Sequence, residues 1–281
     1  MLCRIGEIEV WRLLEINGPF LTPEALWPDA DPDIREVFAE HAPDALDPAT
    51  GRLILPVQGF LLKTPDHIVI VDSCVGNDKT AALPDWHQRS DNRFMSALTA
   101  AGVGPEDVDY VLCTHLHTDH VGWNTKLEDG RWVPTFPNAH YLMPAADEEL
   151  FRGRGAASYT ESVLPVIEAK QAEMVTPGHM LGDHITLTPT PGHTPGHVSV
   201  LIRDGDAEAV ITGDALHSTV QCWRPNWAFK YDEDAATAVT SRKQLLGEAA
   251  EANRKVIGSH FSLPSIGRVK AQGDAFKWED D

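Results

Sequence analysis

Apolar and polar residues alternate over short stretches of this chain, a pattern typical of half-buried β-strands. The pattern predicts strands at residues 5–16, 52–62, 67–72, 108–113, 139–143, 184–189, 197–203, 207–212 and 254–258. Helices are predicted at residues 32–41, 90–101, 144–151, 158–170 and 232–252, the last with Asp232 as its cap. Residues 124–137 are interpreted as a loop, and residues 277–281 as a solvated tail.

The order strand–strand–helix–strand occurs twice along the chain, with no linker-like stretch between the two occurrences. This order predicts one α/β domain over residues 1–281, with two packed sheets and helices outside them. Residues 17–50 precede most of these elements and are rich in Pro and Asp. They retain too many apolar side chains for a disordered linker, so we interpret them as an ordered excursion from the domain.

Composition excludes several classes of protein. The hydrophobic fraction of 42% is ordinary for a globular protein, and no apolar run reaches the roughly 18 residues that would cross a membrane. The chain begins without the features of a signal peptide, and its four cysteines lack CxxC spacing. We therefore expect reduced thiols and a cytoplasmic location. The net charge of −19 argues against a nucleic-acid partner, because phosphates would be repelled.

A histidine-rich stretch follows the apolar strand predicted at 108–113. His115 and His117 can point the same way because side chains alternate with a period of two. Asp119 and His120 follow in the next turn, at a predicted helix start. Four side chains of ligand type within six residues are rarely structural, and imidazole and carboxylate are ligands that zinc accepts. The stretch therefore predicts a metal site.

Further ligand candidates stand at the ends of later strands. His193 lies in a Gly/Pro-rich turn between two predicted strands, and Asp214 and His260 each follow an apolar strand. Functional groups are commonly presented at strand ends, so this repeated placement adds weight to all three.

Together with Asp72, which closes the strand at 67–72, these motifs resemble the five ordered motifs of the metallo-β-lactamase superfamily across residues 50–262. The resemblance implies an αββα sandwich. It implies that one metal ion is bound by His115, His117 and His193, and a second by Asp119, His120 and His260. Asp214 would bridge the two ions, and Asp72 would orient the metal-binding loop without being a ligand.

Two divalent ions about 3.5–4 Å apart can share a water and yield a bridging hydroxide nucleophile near neutral pH. Asp119 is the expected proton shuttle to the leaving group, and no G-x-S-x-G elbow supports a serine hydrolase. We expect two zinc ions, although Mn, Fe or Co would suit the same ligands.

Within the superfamily that this chain resembles, the residue type at the position of Asp214 distinguishes β-lactamases from other hydrolases. β-Lactamases of the superfamily carry Cys or Ser at this position, so the resemblance favours the group of lactonases, methyl parathion hydrolase, thioesterases and phosphodiesterases. Quorum-quenching lactonases carry a Tyr where this chain has His217. We expect His217 to donate a hydrogen bond to the substrate carbonyl. Because it replaces the Tyr of those lactonases, the sequence leaves open whether acyl-homoserine lactones are the substrates. Segments similar to 17–50 wall the pocket and help form the dimer in those enzymes, which makes a homodimer possible here.

The favoured hypothesis is hydrolysis of a small-molecule ester or lactone. Phosphotriester, phosphodiester or thioester cleavage at the same site is the first alternative, with an organophosphate among the possible substrates. A mono-iron dioxygenase of the same fold is the second, although the complete second ligand set counts against it. Aromatic residues near the motifs are candidates for an apolar pocket wall, although packing in the core is the commoner fate of a single Trp. They are Trp123, Trp223, Trp227 and Phe229.

Overall fold

A computed structural model describes all 281 residues. The strands are β1 (Cys3–Ile5), β2 (Ile8–Pro19), β3 (Ile54–Lys63), β4 (Ile68–Val71), β5 (Tyr110–Leu112), β6 (Thr125–Glu128), β7 (Arg131–Pro134), β8 (His140–Pro144), β9 (Ala172–Val175), β10 (Met180–Leu181), β11 (Ile185–Pro189), β12 (Val198–Asp204), β13 (Ala207–Ile211), β14 (Lys255–Ile257), β15 (Ile266–Gln272) and β16 (Ala275–Asp280). The α-helices are α1 (Pro23–Leu26), α2 (Ile34–His41), α3 (Arg93–Ala100), α4 (Thr118–Val121), α5 (Ala145–Arg154), α6 (Leu164–Glu168), α7 (Val220–Trp223) and α8 (Ala235–Glu251). No helix combines the length and apolar character needed to cross a membrane.

The chain forms two compact units, of which the first comprises Met1–Glu15 and Val57–His184. Its seven-stranded sheet has the order β1-β2-β3-β4-β5-β8-β9, with β4, β5, β8 and β9 parallel to one another. Strands β4 and β5 pair in register at Val71 and Leu112. Because both chains run the same way, the residues that follow them leave the sheet at the same edge. Asp72 and the histidine-rich stretch therefore come out side by side.

The second unit comprises Ile16–Pro56 and Ile185–Asp281. The other seven-stranded sheet has the order β10-β11-β12-β13-β14-β15-β16. It is antiparallel from β11 to β13, whereas β13 and β14 are parallel and connected through α8. Helix α8 buries Leu245, Leu246 and Ala249 in an apolar cluster that includes residues of β13 and β14. The parallel pair brings Asp214 and His260, which follow β13 and β14, to one edge of this sheet.

The N-terminal segment 17–50 is ordered and packs within the second unit. Trp27 is buried between Phe38 and Phe229, with ring centroids 5.5 and 5.6 Å away. The indole N–H of Trp227 donates to Asp31 at 3.2 Å. Helix α2 confirms the short helix predicted at 32–41. The segment therefore forms part of the apolar core of its own unit.

The prediction of a loop at 124–137 is wrong, because this stretch contains the hairpin of β6 and β7. Its turn residues Asp129 and Gly130 both have positive φ, 51° and 74°. This is the conformation that a tight two-residue hairpin turn requires and that an Asp-Gly pair adopts readily.

The prediction of a solvated tail at 277–281 is also wrong. Strand β16 pairs with β15 from Gly267 to Gln272, and Trp278 makes an edge contact with Phe261 at 5.3 Å. A Cβ on Gly267 would lie 2.5 Å from the Trp278 ring, so the glycine makes room for the indole. Phe276 and Trp278 both pack against the apolar cluster that includes residues of α8, so this charged stretch also makes apolar contacts.

The long helix predicted at 232–252 is present, but its cap is not Asp232. Helix α8 begins at Ala235, and the side chain of Asp234 accepts from the backbone N–H of Thr237 at 3.1 Å. Asp234 is therefore the N-cap in the usual sense, a short polar side chain bonded three residues ahead. The carboxylate of Asp232 is buried and lies against the ring of His193.

Candidate metal centre

His115 and His117 leave β5 with their rings in contact. The Nε2 atom of His115 lies 3.0 Å from Nδ1 of His117, a separation suited to two ligands of one ion with bonds of about 2.0–2.1 Å. Thr114 Oγ1 donates to Asp72 Oδ2 at 2.8 Å and lies 3.1 Å from His115 Nδ1. The single proton of this hydroxyl is donated to Asp72, so toward His115 the Thr114 oxygen can only accept, and Nδ1 of His115 carries the ring proton. The lone pair of His115 is therefore on Nε2, where a metal can bind it.

Asp119 and His120 lie in the short helix α4, as predicted. Nδ1 of His120 lies 2.8 Å from Asp72 Oδ2, and both side chains are almost wholly buried. Its Nε2 atom lies 3.7 Å from Asp119 Oδ2. Asp72 thus contacts the cluster through His120 and Thr114, the contacts expected of a residue that orients a metal-binding loop.

The loop after Asp72 runs directly against the chain that follows His120. Gly122 N donates to Cys74 O at 2.7 Å. A Cβ on Gly122 would lie 1.8 Å from the carbonyl oxygen of Val75, so no larger residue fits between the two backbones. Asp72 and Cys74 have positive φ, 58° and 53°, which is uncommon for residues other than glycine and clusters at functional sites. The position of the candidate metal-binding loop is therefore fixed by contacts between backbone atoms.

A buried carboxylate supports this contact from behind. Glu15 accepts from Val75 N at 2.8 Å, Gly76 N at 3.2 Å and Trp123 Nε1 at 2.7 Å. Burial raises the pKa of Glu15 despite these bonds. Trp123 also stacks on Phe94, with ring centroids 5.8 Å apart, so it belongs to the packed interior of the first unit.

In the second unit, three imidazoles converge on Asp214. Nε2 of His193 lies 3.2 Å from Oδ2 of this carboxylate, and Nε2 of His260 lies 3.1 Å from Oδ1. Nε2 of His217 is 3.1 Å from Oδ2. All four side chains are at most 5% exposed. The two oxygens of Asp214 therefore face different candidate ligand nitrogens.

The Nδ1 atoms of His260 and His193 each face an oxygen atom, which leaves the Nε2 atoms available for metal binding. His260 Nδ1 lies 2.7 Å from the carbonyl oxygen of Pro56, which can only accept, so this nitrogen carries the proton. His193 Nδ1 lies 3.0 Å from Asp232 Oδ1. Acceptors on the far nitrogen are the usual environment of metal-binding histidines. Imidazole and carboxylate donors of this kind are ligands that a divalent ion accepts.

Electrostatics distinguish the histidines around Asp214. Burial opposes the charge of His193, but Asp214 and Asp232 outweigh it and raise the pKa to about 9. A divalent ion at Nε2 would therefore displace a proton. For His217 burial prevails over the attraction of Asp214, which lowers the pKa to about 4. The neutral His217 ring stacks on Phe229 at a centroid distance of 3.4 Å.

His197, which lies four residues after the predicted ligand His193, has a structural role. Its Nε2 atom accepts from the backbone N–H of Asp214 at 2.8 Å, and Nδ1 is 3.0 Å from Thr190 O. It thus fixes the backbone of Asp214 rather than its carboxylate. Two aromatic residues expected at a pocket make other contacts. Trp223 stacks on His41 at 4.1 Å, and Trp227 bonds Asp31.

The metallo-β-lactamase superfamily model matches residues 54–256. The chain belongs to the metallo-β-lactamase superfamily. An N-acyl homoserine lactonase from a Bacillus species is 31% identical over 189 residues, covering 60% of this chain and 67% of the relative. Among solved structures, the hydrolase AbOPH has a TM-score of 0.83 at 23% identity, covering 99% and 96% of the two chains. AidC, a dizinc quorum-quenching lactonase in complex with a product, has a TM-score of 0.81 at 20% identity and the same coverage.

These similarities confirm the predicted α/β fold of the metallo-β-lactamase superfamily. Together with the His and Asp side chains of metal-ligand type, they support a metal-dependent hydrolase that uses a divalent ion.

Proposed function

We propose that this member of the superfamily is a dinuclear hydrolase that opens a lactone or cleaves a related ester. The observation that carries the proposal is the carboxylate of Asp214, whose two oxygens each face a different imidazole Nε2. In this assignment Asp214 binds both ions, and each ion has three further ligands. They are His115, His117 and His193 for one ion, and Asp119, His120 and His260 for the other. The dizinc character of AidC supports zinc as the metal.

When bound, two divalent ions supply a water of lowered pKa and polarise the substrate carbonyl. Asp119 is suited to move the proton. Its side chain is 12% exposed, whereas its neighbour His120 is 1% exposed, so Asp119 can meet both water and substrate. The carboxylate accepts the proton and passes it to the leaving oxygen, a role that commonly accelerates a reaction by about 10²–10⁴-fold.

His217 is proposed to contact the substrate, through a different atom from the one expected. Because Nε2 faces Asp214, the single proton of the neutral ring belongs there, and Nδ1 is an acceptor. Nδ1 is buried and has no hydrogen-bond partner within the protein. We therefore propose that it accepts from a polar hydrogen of the substrate, rather than donating to the carbonyl.

A lactone is the substrate class best supported. N-acyl homoserine lactonases are among the homologues, and AidC carries the product of a lactone. The test is a panel of lactones, aryl esters, thioesters and phosphotriesters on protein of measured metal content. We expect the highest kcat/KM for a lactone, with two metal ions per chain. One iron per chain with oxygen consumption would contradict hydrolysis.

Replacing His217 with alanine should lower kcat/KM for the best substrate by about tenfold, the value of one ordinary hydrogen bond. Metal content, measured by elemental analysis after loading with excess zinc, should equal that of the wild type. A parallel loss of zinc and activity would show that His217 acts on Asp214 alone and that its substrate contact is wrong.

Other parts of the proposal rest on the sequence and on the resemblance drawn from it. They are a cytoplasmic location, a homodimer in which residues 17–50 take part, and one domain over residues 1–281. Sedimentation equilibrium of the wild type tests the dimer, and a mass of one chain at all concentrations would contradict it.

A further inference from the structure

Asp232 stands directly behind the proposed ligand His193. Its side chain is wholly buried, and Oδ1 lies 3.0 Å from His193 Nδ1. The other oxygen, Oδ2, accepts from Phe229 N at 2.9 Å and lies 3.5 Å from Nη2 of Arg242. Each carboxylate oxygen therefore has its own partners, and only Oδ1 faces the histidine.

Arg242 holds this carboxylate from helix α8. The guanidinium is wholly buried and also donates to Ala215 O at 2.8 Å, Trp227 O at 2.9 Å and Pro225 O at 3.1 Å. A buried cation with this many acceptors has little freedom to move, because any shift breaks charge-assisted bonds. The position of Asp232 is thus set by the fold rather than by the metal.

The turn that carries His193 is held against the same helix. Gly192 O accepts from Asp234 N at 2.9 Å, and Pro191 O accepts from Ser241 Oγ at 2.7 Å. A Cβ on Gly192 would lie 2.1 Å from Ala238 N, so the turn touches the helix backbone. The start of α8 thereby fixes both the backbone of the ligand turn and the carboxylate behind its histidine.

We propose that Asp232 is a positioning residue that keeps His193 in the Nδ1–H tautomer, with Arg242 holding Asp232 in place. The inference rests on the proposed function, in which His193 Nε2 is a metal ligand. A carboxylate on Nδ1–H fixes the ring orientation, directs the lone pair to Nε2 and increases its basicity.

Asp232→Asn tests the tautomer because it changes one atom of the side chain. Phe229 N–H and Arg242 both donate toward Oδ2, so the asparagine oxygen stays on that side. The NH₂ group of the asparagine then faces His193 Nδ1. It can only donate a hydrogen bond, so Nδ1 must be unprotonated to accept it. The ring proton moves to Nε2, the atom proposed to bind the metal.

Zinc affinity is measured by competition with a chromophoric chelator, and the absorption spectrum of the cobalt-loaded protein reports the ligand field. We expect Asp232→Asn to lower the affinity for one ion by about 10–100-fold and to alter the cobalt spectrum. The matched control is Asp234→Asn, which keeps a capping side chain two residues away and does not contact His193. The metal-free forms of both variants should unfold at similar temperatures.

Wild-type zinc affinity in Asp232→Asn would overturn the proposal. So would a loss of affinity matched by an equal loss of stability in the metal-free protein. If Asp232→Asn does not fold, ¹⁵N NMR of the zinc-loaded wild type decides: the proton of His193 is expected on Nδ1, and a proton on Nε2 rejects the role. His193→Ala distinguishes a failure of the Asp232 proposal from a failure of the ligand assignment. If this variant kept both ions, His193 would not be a ligand.

Discussion

Asp214→Ala is expected to lose bound metal and hydrolytic activity together. The two oxygens of this carboxylate face the Nε2 atoms of two proposed ligands, His193 and His260. Its removal leaves buried imidazoles facing a gap and takes a ligand from both proposed ions. Charge stabilisation by a metal is worth several kcal/mol in a transition state, so kcat/KM should fall by about 10³-fold or more.

The measurements are zinc per chain after gel filtration and kcat/KM for the best substrate of the panel. Asp29→Ala is the matched control, since it removes an exposed carboxylate from the same unit with the same change in net charge. The control should retain wild-type zinc and activity. If Asp214→Ala kept two ions and full activity, the bridging assignment would be wrong.

Gly122→Ala is expected to be among the most destabilising single-methyl additions in this chain. Its new Cβ would lie 1.8 Å from Val75 O and 1.9 Å from Val75 C, and backbone atoms cannot rotate away as a side chain can. The cost should reach or exceed the upper end of the about 1–3 kcal/mol measured for overpacked sites. Movement of either segment would also displace His120 and Asp72, so metal affinity should fall too.

Chemical denaturation of the metal-free protein measures this change, and zinc competition measures its effect on the ligands. Gly247→Ala is the control for adding a methyl group, because it lies inside α8 with nothing within 4 Å of its Cβ. There alanine should stabilise the protein by about 0.5–1 kcal/mol. Similar stabilities for the two variants would contradict the close approach at Gly122.

Local patterns predicted the ligand candidates because each follows an apolar strand. The sheets show why this works: β4 pairs with β5, and β13 with β14, in parallel, so residues after each pair emerge at a common edge. Asp72 is thereby brought to His120, and Asp214 to His260. Strand order and direction turn separate sequence motifs into neighbours.

Supporting residues could not be predicted in this way. Glu15 reaches Val75 across 60 residues, and Asp232 reaches His193 across 39. Neither carboxylate lies in a motif, and their partners are set by tertiary packing. Asp232 also resembled a helix cap, a role taken by Asp234 because Thr237 N–H lies within its reach.

The β6–β7 hairpin and strand β16 were predicted incorrectly for different reasons. Asp129-Gly130 is a hairpin signal, but the polar and proline content around it favoured a loop. The C-terminal strand β16 pairs with β15 and packs Trp278 against Phe261, contacts that the short charged stretch does not reveal.

The contact between Trp27 and Phe229 has a consequence for how the protein is made. Asp31 and Trp227, beside that contact, are 196 residues apart in the chain. A ribosome adds about 5–20 residues per second, so the interval between the emergence of these two regions is on the order of 10–40 s. Throughout that time the aromatic side chains of the early segment lack the surface that covers them in the native fold. The nascent chain must therefore pass through a stage in which its N-terminal apolar residues are open to chaperones and to other unfinished chains.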